Sequence, residues 1–292
     1  MKTRIAPTPS GYLHIGNGFN FVLTWLHGRS TQSEVMLRVD DLDKARIKPE
    51  YVEDIFRTLD WLGIDWDSGP FGPDDVDSKW SQHHRLDRYK TALDELSFKD
   101  YAYACALSRA QIADAGGYPE SGFMQKLPLS QANTSLRART EDRPVDFTDA
   151  NGTSHSINLH DMMRAFVLRR RDGLPAYQVA SLVDDLDFGI DLIVRGKDLL
   201  ASTAAQLWLS EKLERDAFAK TTFVHHDLLA DEAGAKLSKS EGADALAAWR
   251  ANKTPVSEFY RRIAVWLGLP EVGTAAELLD LKRSSNNDSI RR

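Results

Sequence analysis

Arg4-Ile5-Ala6-Pro7-Thr8-Pro9-Ser10-Gly11-Tyr12-Leu13-His14-Ile15-Gly16-Asn17 is the stretch whose reading decides the fold. A short apolar run passes through a Pro/Ser/Gly turn and delivers a histidine and a glycine to the head of the next segment. From Gly18 to Arg29, Phe19, Val22, Leu23 and Leu26 recur at helical spacing, which predicts an amphipathic helix. A strand that turns into a helix N-terminus is a ready anion site, because unpaired backbone N–H groups and the helix dipole point at one spot. His14 adds a donor for a phosphate there, and Gly16 leaves room for a flat base against the backbone. Walker-loop and GxGxxG glycine spacings are absent. Taken alone, the stretch also fits an ordinary strand–turn–helix corner.

Outward from this turn, Glu34–Val39 reads as a buried strand with Asp40-Asp41-Leu42-Asp43 at its carboxyl end. Ligands of open α/β sheets bind beyond the carboxyl ends of strands, so charged residues there are site candidates. Arg38 and Asp40 lie two apart and share one face of the strand. A solvated acidic turn that caps the next helix is the other reading. Pro49 opens a helix with Tyr51, Ile55, Leu59 and Leu62 on one face, closed by Gly63. Strand, helix, strand, helix implies a parallel, doubly wound sheet. Further along, Ile190–Val194 is a strand of the parallel type ending in Arg195-Gly196-Lys197-Asp198, with a helix starting near Leu199. An arginine at that place suits a carboxylate, which its fork holds bidentately; a surface ion pair is the alternative. The strand Thr221–His226 precedes a polar loop carrying Lys236-Leu237-Ser238-Lys239-Ser240.

The 292 residues carry a net charge of −6, 42% hydrophobic and 27% charged residues, which is ordinary for a globular chain. No apolar run reaches the roughly 20 residues needed to span a bilayer. Met1-Lys2-Thr3-Arg4 lacks the apolar region of a signal peptide. A single cysteine excludes an intrachain disulfide and suits a cytoplasmic setting. Net acidity argues mildly against wholesale nucleic-acid binding, but Arg164, Arg169, Arg170 and Arg171 form a local basic cluster of the kind that can grip one RNA site.

The His14–Asn17 turn, with the Arg-x-Ala-Pro-Thr-Pro-Ser-Gly before it, resembles the HIGH signature of class I aminoacyl-tRNA synthetases in their glutamyl/glutaminyl branch, and Lys236–Ser240 resembles the KMSKS signature. Leu37–Asp43, Leu168–Asp185 and Arg195–Leu199 resemble further segments of glutamyl-tRNA synthetases. The resemblance implies an α/β fold, a Rossmann-like parallel sheet split by an inserted α+β acceptor-binding subdomain, with a short helical C-terminal segment. The boundaries expected are 1–88 and 175–241 for the two halves of the sheet domain, 89–174 for the insertion and 242–292 for the C-terminal segment. About fifty residues follow the KLSKS loop, too few for the helical anticodon-binding domain of full glutamyl-tRNA synthetases. That points to the branch that lacks this domain and transfers glutamate to the queuosine base of tRNA(Asp).

By the same resemblance, His14, Lys236 and Lys239 stabilise charge during adenylation, and Thr8, Gly16, Asn17, Lys236, Ser238 and Lys239 line the site of Mg2+-ATP. Arg4, Ala6, Thr8, Asp40, Tyr177 and Arg195 hold glutamate, an always-charged arginine selecting it over glutamine. Tyr177 as a core aromatic is the competing reading. Three departures stand out: Asn17 for the second histidine, Asp40 for a glutamate one methylene longer, and loss of a zinc-binding set, whose places here hold Cys105, Leu107, Tyr118 and Gly122. One sulfur ligand cannot make a structural zinc site, so no metal is expected there and Cys105 is expected to be a small buried residue. The partners implied are glutamate, ATP and a tRNA, on a monomeric protein that engages no membrane. Two other functions stay open: a synthetase-like ligase loading a non-tRNA acceptor, and a nucleotide- or RNA-binding protein without catalysis.

Overall fold

The computed structural model describes residues 1–114, 126–229 and 245–284. In chain order the principal elements are β1 (Lys2–Ile5), α1 (Ile15–Ser30), β2 (Glu34–Leu37), α2 (Pro49–Leu62), α3 (Leu86–Phe98), β3 (Ala102–Cys105), β4 (Ser135–Ala138), β5 (Pro144–Thr148), β6 (Ser154–Asn158) and β7 (Val167–Arg169). There follow α4 (Tyr177–Asp187), β8 (Leu192–Gly196), α5 (Leu200–Lys212), β9 (Thr222–His226), α6 (Leu246–Ala251), α7 (Val256–Leu267) and α8 (Ala275–Ser284). The chain divides into two compact units, one of Met1–His84, Ile190–Asp198 and Thr222–Arg292, the other of Arg85–Gly189 and Leu199–Thr221.

The first unit is built on a four-stranded sheet in the order β2-β1-β8-β9, parallel throughout. Side chains alternate across such a sheet, so each strand contributes to two environments. One face (Ile5, Val35, Leu37, Leu192, Val194, Val224) joins Phe19, Val22, Leu23 and Leu26 of α1 in the main core. The C-terminal helices belong to this same core. Phe259 and Trp266 of α7 meet Phe19 edge-on at centroid distances of 5.1 and 6.0 Å. They therefore fold with the sheet, although the sequence set residues from 242 onward apart. Helix α2 begins at Pro49, buries Ile55, Leu59 and Leu62, and closes on Gly63 in the left-handed region (φ 68°), as its pattern predicts.

The second unit holds an antiparallel sheet in the order β3-β4-β7, the hairpin β5-β6, and helices α3, α4 and α5. Its extent differs from the expected 89–174, because α4 and α5 fold with it. Tyr89 of α3 donates its hydroxyl to the fully buried Asp184 of α4 at 2.8 Å, and Arg85 donates Nε to the same carboxylate at 2.7 Å. Gln178 on α4 donates to Ser202 of α5 at 2.9 Å. Cys105 is fully buried beside Tyr103 and Ala165, with Leu107 packed against them, which agrees with its reading as a core residue. Tyr118 and Gly122 lie outside the described residues. Among the described residues no helix is long and apolar enough to cross a membrane.

Candidate active site

His14 is the N-cap of α1, and it caps in both directions. Its Nδ1 accepts the Gly16 N–H at 3.1 Å, while its own N–H donates to Oδ1 of Asn17 at 3.0 Å. This is a capping box with histidine in the place usually held by serine or threonine. An accepting Nδ1 cannot carry a proton, so a neutral ring carries it on Nε2. The first turn of α1 contains no acidic residue, which leaves the positive end of the dipole uncompensated from within the helix. Asn17 therefore serves the helix end with its side-chain oxygen, a role that its place in the signature did not announce. Gly16 also has a reason that the sequence did not show. A Cβ there would stand 3.0 Å from Cε1 and 3.1 Å from Nδ1 of His14. The glycine makes room for the imidazole.

The carboxyl ends of the strands collect charge. Ile5 pairs with Leu37, Thr3 with Leu192, and Arg195 with His225. Extended along each strand, that register sets Ala6, Arg38, Arg195 and His225 level across the sheet. Alternation puts Arg4, Arg38, Arg195 and His225 on the face away from α1, together with Met36, Ile193 and Phe223. All seven are buried. The Arg195 guanidinium lies 6.0 Å from the centre of the Phe223 ring, and Phe223 stacks on His225.

Just beyond β2, the Asp40 N–H donates to the Pro7 carbonyl at 2.9 Å, and this ties the acidic segment to the signature turn. The Asp40 carboxylate takes the Arg38 fork through Nε at 2.6 Å and Nη2 at 3.0 Å, both partners being buried. Its neighbour Asp41 does different work, accepting from Ser81 Oγ at 2.6 Å and from the Gln82 N–H at 2.7 Å. Asp41 is buried and caps the distant turn at Gln82, while the next helix, α2, has no side-chain cap, so neither carboxylate fits the reading of a solvated turn that caps the next helix. The sequence put Arg38 and Asp40 on one face but gave no sign of a closed pair.

Thr8 is exposed on the turn and Ala6 is half-buried at its start. Tyr177 is the first residue of α4 in the second unit, and it is 42% exposed, so it is not a core aromatic. Lys236, Ser238 and Lys239 lie outside the described residues.

A parallel α/β sheet with a histidine-capped helix after β1 and buried arginines at its strand ends is an architecture of the class I synthetase kind. Residues 1–287 match the family model described as tRNA synthetases class I (E and Q), catalytic domain. The chain is 38% identical over 256 residues to the Geobacter sulfurreducens protein named glutamyl-Q tRNA(Asp) synthetase, an alignment covering 85% of this chain and 78% of that protein. Against the protein of the same name from Dechloromonas aromatica it is 37% identical over 289 residues, covering 95% and 91%. A crystal structure of a glutamate tRNA ligase from Elizabethkingia meningosepticum, in complex with its amino acid, has the same fold (TM-score 0.78, 22% identity); the match covers all of this chain and 65% of that one. The chain belongs to the class I glutamyl/glutaminyl-tRNA synthetase family and is a ligase of that class.

Proposed function

We propose that this protein activates glutamate with ATP and transfers the glutamyl group to the queuosine base of tRNA(Asp). In the first step an oxygen of the glutamate α-carboxylate forms a bond to the α-phosphorus of ATP. The bond to the bridging oxygen breaks, and pyrophosphate leaves with that electron pair. In the second step a hydroxyl of the acceptor attacks the adenylate's carbonyl carbon, AMP leaves with the bonding pair, and the hydroxyl proton passes to solvent. Neither step needs a covalent enzyme intermediate. Orientation and fixed charge suffice.

The observation that carries the amino-acid assignment is Arg195, buried at a parallel strand's carboxyl end on the face that also holds Arg4. A guanidinium in that position favours a side-chain carboxylate and leaves donors facing donors if an amide takes its place. Asp40, closed onto Arg38, keeps lone pairs for an ammonium but shares its charge with the arginine. Ala6, Thr8 and Tyr177 complete the proposed glutamate contacts. His14 donates from Nε2 to a phosphate oxygen, Gly16 and Asn17 keep that ring and helix end in shape, Lys236 and Lys239 take up triphosphate charge, and Ser238 adds a hydroxyl to the ATP site. The N-terminus of α1, with no acidic residue in its first turn, fits an anion. Mg2+ enters with ATP and neutralises its phosphates.

The acceptor rests on the relatives named glutamyl-Q tRNA(Asp) synthetase, matched over as much as 91% of their length. Labelled glutamate, ATP and Mg2+ with tRNA(Asp) that contains or lacks queuosine provide the test. Transfer only to the queuosine-containing tRNA is expected. Equal transfer to both, or adenylate formation with transfer to neither, would contradict the assignment and turn attention to a different acceptor.

A further inference from the structure

The turn that carries His14 is anchored through the residue before it. Asp54 lies in the middle of α2 and is 3% exposed, beside Ile55 and Thr58 on the packed stripe. Its Oδ2 accepts the Leu13 N–H at 3.1 Å. Its Oδ1 takes Nη2 of Arg250, whose Nη1 donates to Thr58 Oγ1 at 2.7 Å. Arg250 belongs to α6, and the first residue of that helix, Leu246, donates its N–H to the Leu13 carbonyl at 2.8 Å. Ala245, where the described chain resumes after the Lys236–Ser240 stretch, bridges His14. Both backbone groups of Leu13 are thus fixed, one by Asp54 and one by Leu246, and Arg250 joins the two anchors.

A buried ion pair adds little net stability over apolar packing of the same volume, although breaking it is costly. What this one supplies is a fixed geometry, set one residue before the group that faces the phosphates. We propose that Asp54 and Arg250 are positioning residues for adenylation, which hold the Leu13–His14 turn in register with the start of α6. The proposal rests on the reading of His14 as a phosphate donor. Neither residue touches substrate in this account. Both act through His14.

The test combines ATP–pyrophosphate exchange with amide hydrogen exchange on Arg250→Gln, Arg250→Lys and Asp54→Asn. Misplacing the histidine predicts a fall of about tenfold or more in kcat for Arg250→Gln, with KM for glutamate within about twofold and partial rescue in Arg250→Lys. In a His14→Ala background the same substitution should change kcat by less than about twofold, because residues that act as a unit are not additive. The Leu13 and Leu246 amides should lose protection together while those of Ile5 and Val194 keep theirs. Equal losses in both backgrounds would overturn the positioning role, as would unchanged protection at Leu13 and Leu246. Loss of protection throughout the sheet would overturn it too, because that marks a merely structural pair. If the unsubstituted protein catalyses no exchange, the activation reading itself falls and takes the catalytic part of this inference with it. Normal exchange by that protein with additive losses removes only the positioning role.

Discussion

Gly16 shows how close packing can override helix propensity at a single position. It is the second residue of α1, where alanine would raise helix propensity, by roughly 0.5–1 kcal/mol in a helix interior. The added methyl would press on Cε1 and Nδ1 of His14 and turn the ring out of its capping position. Gly16→Ala is therefore expected to hold or slightly lower the melting temperature, because the lost cap, worth about 1 kcal/mol, offsets the gain in helix propensity, while lowering exchange kcat about tenfold or more. Thermal melts beside exchange kinetics check both halves, and a variant equally active with the same melting temperature would refute the steric account. Asp40 presents a different balance. Its pairing with the buried Arg38 makes the shorter side chain part of a closed unit, so its length is matched to the arginine.

At the scale of elements, α1 and β9 bring two histidines into positions where charge is disfavoured. Burial first, then Lys282 and His226, lower the pKa of His27 on α1 to about 4. His226 at the end of β9 is also lowered, chiefly by burial; its Nδ1 meets the Asp227 carbonyl at 2.8 Å and its Nε2 meets the Asn20 side-chain amide at 3.0 Å. A folded pKa below the unfolded value near 6.5 means that the neutral form is the one that suits the fold. Its stabilisation is complete above pH 6.5 and is lost as pH falls through that value toward 4. Denaturant melts should lose on the order of 2–3 kcal/mol from His27 across that interval, an amount that His27→Gln would largely remove. A pH-independent midpoint between 7 and 4 would contradict this. The elements also differ in how legible they were. Pro49, the Ile55/Leu59/Leu62 stripe and Gly63 spell out α2 because start, face and stop are all local signals. Helix α4 begins after Ala176, which offers no side-chain cap, so its first turn has no mark in the sequence. Asp54 sits within the buried stripe of α2, and a charge there signals a partner, but Arg250 lies too far along the chain to be read as that partner.

At the scale of the whole molecule, the parallel sheet and its helices were readable because local periodicity and the two signatures agree on them. The limits of the two units were not, since they depend on which helices bury their apolar sides together. Arg85, Tyr89 and Asp184 make that choice through contacts between α3 and α4, nearly a hundred residues apart. The placement of the candidate site was legible at Arg195 and His14, because the strand and helix patterns beside them mark a strand end and a helix start. It was illegible at Asn17 and Arg38, whose roles depend on hydrogen-bond geometry. The central claim is that this assembly activates glutamate, and amino-acid-dependent ATP–pyrophosphate exchange with all twenty amino acids and no tRNA tests it most directly. Exchange with glutamate, weak or absent with glutamine, and a KM for glutamate raised about tenfold or more in Asp40→Asn are the results predicted. Exchange with a different amino acid in preference to glutamate, or none with or without tRNA, would contradict it.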